Sequence, residues 1–523
     1  MSEHVPELYP SREIAGELSP ILPTAIDPDA VVVLRRLQQA RHRAYLVGGC
    51  VRDLLLGGTP KDFDIATSAR PRQVKKLFRN ARIVGRRFRL VHVMFGPRKQ
   101  IEVSTFRRDP GEAGGDDEPF RPDSADSPDS IEERDAPLSA DGEVAAPENG
   151  GDDEEEQDLL IREDNVYGSE AEDARRRDFT INGLFYDVES EQVLDYVGGV
   201  ADLRRRVLRT IGDPSRRVRE DPVRILRAVK FSTRLKLDLD PLLSAAMAEH
   251  HADLRKSAPP RVFEEILRIL SGAKPERSIE MLAKLGVVQL LFPELGISPP
   301  GDADDARLKR VLARLGALAE IDRGQRSLPT ATYLAALFHD ELVRRLVGEA
   351  ADGGRPPPSQ ALDDFLRPIG QRCRMARRDT ARVRAMYLAL RRIDPEFADP
   401  HGRKRRRRGG LAEFVAREFF EDALLLMRIV ATAEGRDLAA VLEWERRRDE
   451  TLASRRDGPR HDGPRPPRHH PSHAPREAPR SDDAAPEERA NASGSRRRRR
   501  RRRGRSAPSV PAEPPAHDDP MGF

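Results

Sequence analysis

Apolar and polar positions along this chain follow two periods, and the change from one to the other divides it. From Asp29, "DAVVVLRRLQQAR" sets its apolar residues at helical spacing, and "AYLVGG" reads as a short buried strand ending at glycines. "VRDLLLG" predicts a helix closed by Gly57 or Gly58. "KDFDIAT" follows as a second strand, and "PRQVKKLFRN" as a helix with proline in its first turn. "ARIVG", "RLVHVMFG" and "QIEVSTF" supply further strands, so this region predicts a small mixed sheet with helices against it. After a lapse between about 110 and about 160, "NGLFYDV" and "QVLDYVG" predict a hairpin and "RRRVLRTIG" another strand. Beyond Asp213 the strand signals nearly vanish. "DPVRILRAVKFSTRL", "PPRVFEEILRILSG", "SIEMLAKLGVVQLLF", "TYLAALFHDELVRRLV" and "AREFFEDALLLMRIVATA" all carry helical periodicity, which predicts a helical body ending near residue 450.

Composition refines this division. At 523 residues the chain exceeds a single core and should hold two or three domains. Ninety-two Lys and Arg against 88 Asp and Glu leave only +4, but the charges are segregated. The acidic excess lies between Pro110 and Asp158, in runs such as "GGDDEP" and "GDDEEEQD", and has no periodicity, so 110–160 reads as an inserted disordered loop. The basic excess includes "RKRRRR" at 403–408 and eight consecutive arginines at 496–503, which points to a polyanionic partner. The expected organisation is a flexible 1–25, a head over 26–212, a helical neck over 213–275, a helical body over 276–450 and a low-complexity, Arg-rich tail over 451–523. Two cysteines, Cys50 and Cys373, stand far apart and in no metal-like spacing. "MSEHVPELYP" has no basic segment leading an apolar run, and no stretch nears the length of a membrane span. A cytoplasmic protein with no membrane partner is expected.

The chemistry concentrates in "YLVGGCVRDLLLGGTPKDFDIATS", Tyr45 to Ser68. Strand alternation puts Asp62 and Asp64 on one face with Phe63 turned away. Two carboxylates so close repel unless a cation lies between them, and Mg²⁺ takes one or two carboxylates plus phosphate oxygens. Taken alone, Asp-x-Asp fits a solvated surface strand equally well. The context adds to it: Gly48 and Gly49 stand at a strand end before a helix, where bare amides suit a phosphate. Arg52 and Asp53 follow one turn on. A third acid, Glu102, alternates in "QIEVSTF", a strand expected beside the first strand. Together these point to a metal-dependent phosphoryl-transfer site.

"LVGGCVRDLLLG" followed by "KDFDIAT" resembles the first motif of the nucleotidyltransferase branch that holds bacterial poly(A) polymerases and the bacterial and eukaryotic CCA-adding enzymes. "RRDFTIN" at 176–182, "DYVGGVADL" at 195–203 and "REDPVRILRAVKF" at 219–231 are similar to its second, third and fourth motifs, and "PPRVFEEILRIL" at 259–270 to its neck helix. The resemblance implies an α+β nucleotidyltransferase head followed by an all-α neck and body. It implies that Asp62 and Asp64 bind the catalytic metals (Mg²⁺ or Mn²⁺), that Asp178 counts among the active-site carboxylates, and that Arg177 lies near the nucleotide. Asp221 and Arg224 would pair with the incoming base, and Arg227 joins the nucleotide-binding set. Chemically Asp221 can accept from an exocyclic amine and Arg224 can donate to a ring nitrogen or carbonyl. Three apart on one helix, they should share a face; a surface ion pair is the plainer reading. Glu102 receives no direct metal role from the resemblance, which leaves a supporting carboxylate or a hydrogen-bonding strand residue.

Both activities of that branch share these motifs. "IVGRRFRLVHVMFG" at 83–96 resembles the segment that marks the bacterial polymerases, although Arg86, Arg87 and Arg89 also suit a solvated strand edge. The expected reaction is template-independent addition of AMP from ATP to RNA 3′ ends. A tRNA CCA-adding enzyme and a non-catalytic RNA-binding adaptor are the alternatives. Arg496, Arg497, Arg498, Arg499, Arg500, Arg501, Arg502 and Arg503 would hold RNA phosphates without reading sequence, or else clasp the acidic insert. The resemblance also makes an RNA helicase or degradosome component a plausible partner. His339 and Asp340 have the order of a phosphohydrolase dyad but lack further ligands, so His339 is expected to be an ordinary helix residue, and His92 an ordinary strand residue.

Overall fold

A sheet of eight strands organises the N-terminal region, and its order brings segments far apart in sequence together. The strands are β1 (Glu7–Pro10), β2 (Ala44–Val47), β3 (Asp64–Thr67), β4 (Ala81–Val84), β5 (Leu90–Met94), β6 (Gln100–Thr105), β7 (Leu184–Asp187) and β8 (Gln192–Asp195). They lie in the order β1, β8, β7, β2, β3, β6, β5, β4. Only β3 and β6 run parallel; the other neighbours are antiparallel. The computed structural model describes residues 5–11, 18–85, 89–97, 99–108, 166–299, 305–322, 328–347, 357–397 and 410–456, all within Met1–Gly458. The acidic segment at 110–160, Arg86, Arg87, the run at 403–408 and Arg496 to Arg503 lie outside the described residues.

Helices α1 (Pro28–Gln39), α2 (Gly49–Leu55), α3 (Pro71–Leu77), α4 (Glu170–Arg175) and α5 (Gly199–Arg205) accompany the sheet. Helix α1 starts where Asp27 accepts a hydrogen bond from the Asp29 amide at 2.8 Å, with Pro28 in its first turn. It buries Ala30, Val33, Leu34 and Leu37, the stripe its spacing predicts. Two sequence expectations are trimmed here. Strand β3 begins only at Asp64, because β2 pairs with it no further than Leu46 opposite Ile65; Asp62 therefore sits in an exposed approach to the strand. "RRRVLRTIG" yields a two-residue strand, β9 (Val207–Leu208), since its first arginines end α5 and Arg206 takes a left-handed φ of 57°. β9 pairs in parallel with β10 (Asp238–Leu239).

The third motif turns out to be architectural. Asp195 ends β8, and its carboxylate accepts from the amides of Val197, Gly198, Gly199 and Val200 at 2.8 to 3.1 Å, which starts α5. A Cβ on Gly199 would lie 2.3 Å from the Thr180 carbonyl oxygen, so no side chain fits there. Thr180 in turn donates its hydroxyl to Asp202 of α5 at 2.7 Å. The second and third motifs are thus locked face to face.

The rest is helical: α6 (Pro214–Glu220), α7 (Val223–Leu235), α8 (Pro241–His250), α9 (Pro259–Leu270), α10 (Pro275–Lys284), α11 (Val287–Leu291), α12 (Ala306–Asp322), α13 (Thr330–Leu337), α14 (His339–Val347), α15 (Pro358–Arg372), α16 (Arg377–Ile393), α17 (Leu411–Val415), α18 (Glu418–Ala433) and α19 (Ala439–Arg456). One apolar cluster runs from Leu46 and Ile65 in the sheet through Val229 and Ile266 to Leu390 and Leu426. His339 opens α14, buried, with Nδ1 2.8 Å from the Tyr387 hydroxyl. Tyr387 donates its single proton to the Ala335 carbonyl at 3.0 Å, so the His339 N–H must be the donor to the tyrosine oxygen. Burial pushes the His339 ring down to about 3, so it is neutral. Asp340 is taken by Arg310 at 2.9 Å and Arg314 at 2.7 Å. His339 is an ordinary buried helix residue, and no helix of the described residues is long and apolar enough to cross a membrane.

Candidate active site

The end of β2, the start of α2, β3 and α7 surround one cleft of about 440 Å³. Gly48 and Gly49, Asp64, Arg177 and Asp178, and Asp221, Arg224 and Arg227 all line it, from three separate parts of the sequence. Gly48 has φ +75°, and a Cβ there would meet Arg177 Nη1 at 3.1 Å. Glycine is required at this position for its backbone angle and for the guanidinium laid against it.

Asp64 and Glu102 are directly opposite across the parallel β3–β6 pair. On the far side of Glu102, His92 of β5 is opposite it, with Nε2 3.6 Å from a carboxylate oxygen. This corrects the expectation that the Glu102 strand runs beside the first strand: both edges of β2 are occupied, by β3 and β7. Burial, then the charge of Glu102, and less that of Asp62, push the Asp64 carboxyl up to about 6, against the pull of Arg177. Such crowding of negative charge is the situation a bound cation relieves. Among the described residues no group of three or more His, Cys, Asp and Glu side chains is arranged to hold a metal alone. A carboxylate pair completed by substrate phosphate oxygens is the ligand set Mg²⁺ favours; of the two aspartates Asp64 lines the cleft, whereas Asp62, exposed just before β3, does not, and neither does Glu102.

Asp178 is differently employed. Its Oδ1 accepts from Asn182 Nδ2 and from the Phe179 amide, each at 2.9 Å, and its Oδ2 accepts from Arg227 Nε at 2.7 Å. Although burial opposes ionisation, Arg227 and Asn182 hold the carboxyl down to about 2. Both oxygens are engaged, so Asp178 fixes Arg227 in the wall of the cleft. Arg227, Arg224 and Phe231 follow one another at helical spacing along α7. Arg52 is buried beneath them, with its Nη2 2.7 Å from Asp53, a further bond to Asn182, and its guanidinium 5.0 Å from the Phe231 ring centre. Asp53 pairs on with Arg234 of α7 at 2.5 Å. Arg52 and Asp53 therefore clamp α2 to α7; Arg52 borders the cleft, and Asp53 does not line it.

Asp221 and Arg224 do not share a helix. Pro222 disfavours helical angles at the residue before it, and Asp221 ends α6 with φ −146° and ψ 89°. Among the contacts of the described residues no direct ion pair joins the two, although the Asp221 charge still acts on the Arg224 guanidinium. Asp221 instead accepts from Arg261 of α9 at 2.8 Å through Oδ2, while its Oδ1 is buried and accepts nothing. Arg224 is buried, with Nη1 donating to the Arg217 carbonyl at 2.6 Å and lying 3.4 Å from Glu220. Sequence reading overlooked Asn182, Phe231 and Arg261. The first two stand inside the quoted motifs "RRDFTIN" and "REDPVRILRAVKF", whereas the Arg261 contact spans 40 residues.

A paired-glycine turn feeding a helix, acids on adjacent strands and a basic helix across the cleft define a nucleotidyltransferase head with a helical extension. Residues 44–209 match the poly A polymerase head domain, and 236–297 match the probable RNA and SrmB-binding site of polymerase A. Poly(A) polymerase I of Haemophilus influenzae is 34% identical over 388 residues, 73% of this chain and 77% of that protein. Poly(A) polymerase I of Salmonella typhimurium is 41% identical over 332 residues; that match spans 63% of each protein, somewhat under two thirds of the relative's length. The CCA-adding enzyme of Bacillus stearothermophilus, solved with CTP, shares the fold with a TM-score of 0.54 over 82% of this chain and 83% of its own, at 24% identity. The chain belongs to the poly(A) polymerase family of nucleotidyltransferases.

Proposed function

We propose that this chain is a template-independent polynucleotide adenylyltransferase that adds AMP from ATP to RNA 3′ ends. The observation that carries the reading is the cleft itself: at one side Asp64, whose carboxyl is raised by burial and by neighbouring Glu102, and at the other an acceptor, Asp221 Oδ1, that lacks a donor beside a buried Arg224. The 3′ hydroxyl of RNA attacks the α-phosphate of ATP, the bond to the bridging oxygen breaks, and pyrophosphate leaves. Mg²⁺ or Mn²⁺ held by Asp62 and Asp64 would supply hydroxyl activation and charge neutralisation, with Glu102 as the supporting carboxylate. Gly48, whose own amide is given to the Leu184 carbonyl at 3.0 Å, and Gly49 would give the triphosphate close approach to the first amides of α2. Arg177 offers a guanidinium above Gly48, and Asp178 keeps Arg227 pointed at the nucleotide. Asp221 accepts from the adenine amine while Arg224, which spends only Nη1 on the protein, donates to the ring.

Similarity to two proteins named poly(A) polymerase I favours ATP as sole nucleotide, as does the segment at 83–96. Arg496 to Arg503 are proposed to hold RNA, and a helicase or degradosome component is proposed as partner. Cys50 and Cys373 are free thiols that suit the reducing cytoplasm. The test is extension by the purified chain with Mg²⁺, each nucleotide offered separately to an unstructured RNA and to a tRNA lacking its 3′ end. A long ladder with ATP on the unstructured RNA is expected. Addition that stops after a few residues, on the tRNA alone and requiring CTP, would replace this reading with tRNA repair.

A further inference from the structure

Away from the nucleotide cleft, the hairpin of α15 and α16 encloses a larger cavity of about 590 Å³. Four guanidiniums line it, those of Arg367, Arg374, Arg377 and Arg384, against one carboxylate, Asp363. The sequence explains the imbalance: from Arg367 to Arg392 there are nine arginines, no lysine and a single acid, Asp379. Several of these charges are already neutralised. Arg384 pairs with Asp363, Arg367 with Asp364 at 3.2 Å, Arg372 with Glu294 at 2.7 Å and Arg382 with Asp422 at 2.5 Å. Arg374 and Arg377 are not. Among the described residues neither side chain has a carboxylate or hydrogen-bond partner, and both are exposed at the mouth of the cavity. Arg374 is held in the turn between the helices at φ 53°, where a side chain other than glycine is strained. The turn is closed by the Met375 amide donating to Gly370 at 2.9 Å, so the two free guanidiniums are presented by a fixed backbone.

We propose that this cavity binds the sugar-phosphate backbone of single-stranded RNA, at a segment away from the 3′ end being extended. Arginine forks match phosphate oxygens in pairs, and two such forks without protein partners form an anion site that the fold leaves open. No aromatic ring lines the cavity; Met375 and Leu366 supply its apolar surface. It therefore lacks a stacking platform and a base-reading pattern, and takes phosphates without regard to sequence. A free nucleotide offers the same phosphate chemistry, but nothing here would recognise its base. This inference rests on RNA being the substrate, and goes beyond that reading in assigning a second RNA contact.

The experiment is binding of a fluorescein-labelled, unstructured 30-nucleotide RNA to the full chain by anisotropy across a salt series. The Arg374→Ala/Arg377→Ala variant should lower the slope of log K against log salt by about 1.4, at about 0.7 per lost contact on a single strand. kcat at saturating RNA and KM for ATP should not move. Arg374→Lys/Arg377→Lys should keep most of the slope. As a control for net charge, Arg35→Ala/Lys76→Ala, on exposed positions of α1 and α3, should leave the slope at its original value. An unaltered slope in the alanine variant, while the parent binds RNA normally, overturns the proposal. So does calorimetry in which the variant loses one of two bound ATP molecules, which would make the cavity a nucleotide site. A parent chain that fails to bind the RNA at all overturns the RNA reading of both sites.

Discussion

Asp178→Asn keeps the shape of the side chain and removes the charge that anchors Arg227. The Asp178 carboxyl is held from 3.8 down to about 2 and its side chain is only 11% exposed, which corresponds to roughly 2 kcal/mol of stabilisation. The folded value is the lower one. The contribution is therefore complete above the unfolded value of 3.8 and disappears as pH falls through about 2. The parent should exceed the variant in local stability by about 2 kcal/mol at pH 7, and by about half of that at pH 3. The assay is native-state hydrogen exchange of the amides around Thr180 to Asp187, which needs no assumption that a chain of this size unfolds in one step. A cycle with Arg227→Gln should return most of the effect as coupling between the two residues. A gap below about 0.5 kcal/mol, or one that does not shrink in acid, would refute the assignment of Asp178 as the anchor of Arg227.

Asp62→Ala/Asp64→Ala should abolish nucleotide transfer while RNA affinity and its salt dependence survive; transfer by that variant would place the chemistry elsewhere. Gly48→Ala meets both a φ of +75° and the Arg177 guanidinium at 3.1 Å, and should raise KM for ATP and lower stability by roughly 1 to 3 kcal/mol. Gly96→Ala, at φ +97° with nothing within 4 Å, isolates the backbone share of that cost. His339 is lowered to about 3 from 6.5, so the folded body should lose about 1.4 kcal/mol per pH unit as pH falls from 6.5 towards 3. Tryptophan fluorescence of Trp444 during urea titration would follow this, and His339→Gln should flatten the dependence. Deleting 451–523 should weaken RNA binding and reduce its salt slope, and an unchanged slope would remove the tail from the RNA path.

Local pattern made much of this molecule legible. The helical stripe of α1, the glycine turn before α2, the β7–β8 hairpin and the change to helices after Asp213 all follow from residues within a turn or two of each other. Most of what escaped depended on partners far along the chain. Glu102 could be assigned to a strand, but its place opposite Asp64 depends on which edge of which strand was free. The predicted helix through Asp221 and Arg224 broke because Pro222 outweighs the helical spacing around it, a signal present in the sequence but underweighted. Asp178 could be recognised as an acid of the site. That its oxygens are consumed by Asn182 and Arg227 required α7 to be folded against the second motif.

The cap at Asp195 bears on how this chain should be dissected. Four amides converge on that carboxylate, a Cβ on Gly199 would collide with the Thr180 carbonyl, and neither Asp195 nor Gly199 borders the cleft that holds Asp64 and Asp178. A substitution scan scored by product formation would rank both beside Asp64, because the loop carrying Asp178 loses its support when either changes. Dead variants at 195 and 199 would then inflate the inventory of reactive groups. Screening each inactive variant for protease resistance before assigning it a chemical role would separate the scaffold from the reagents.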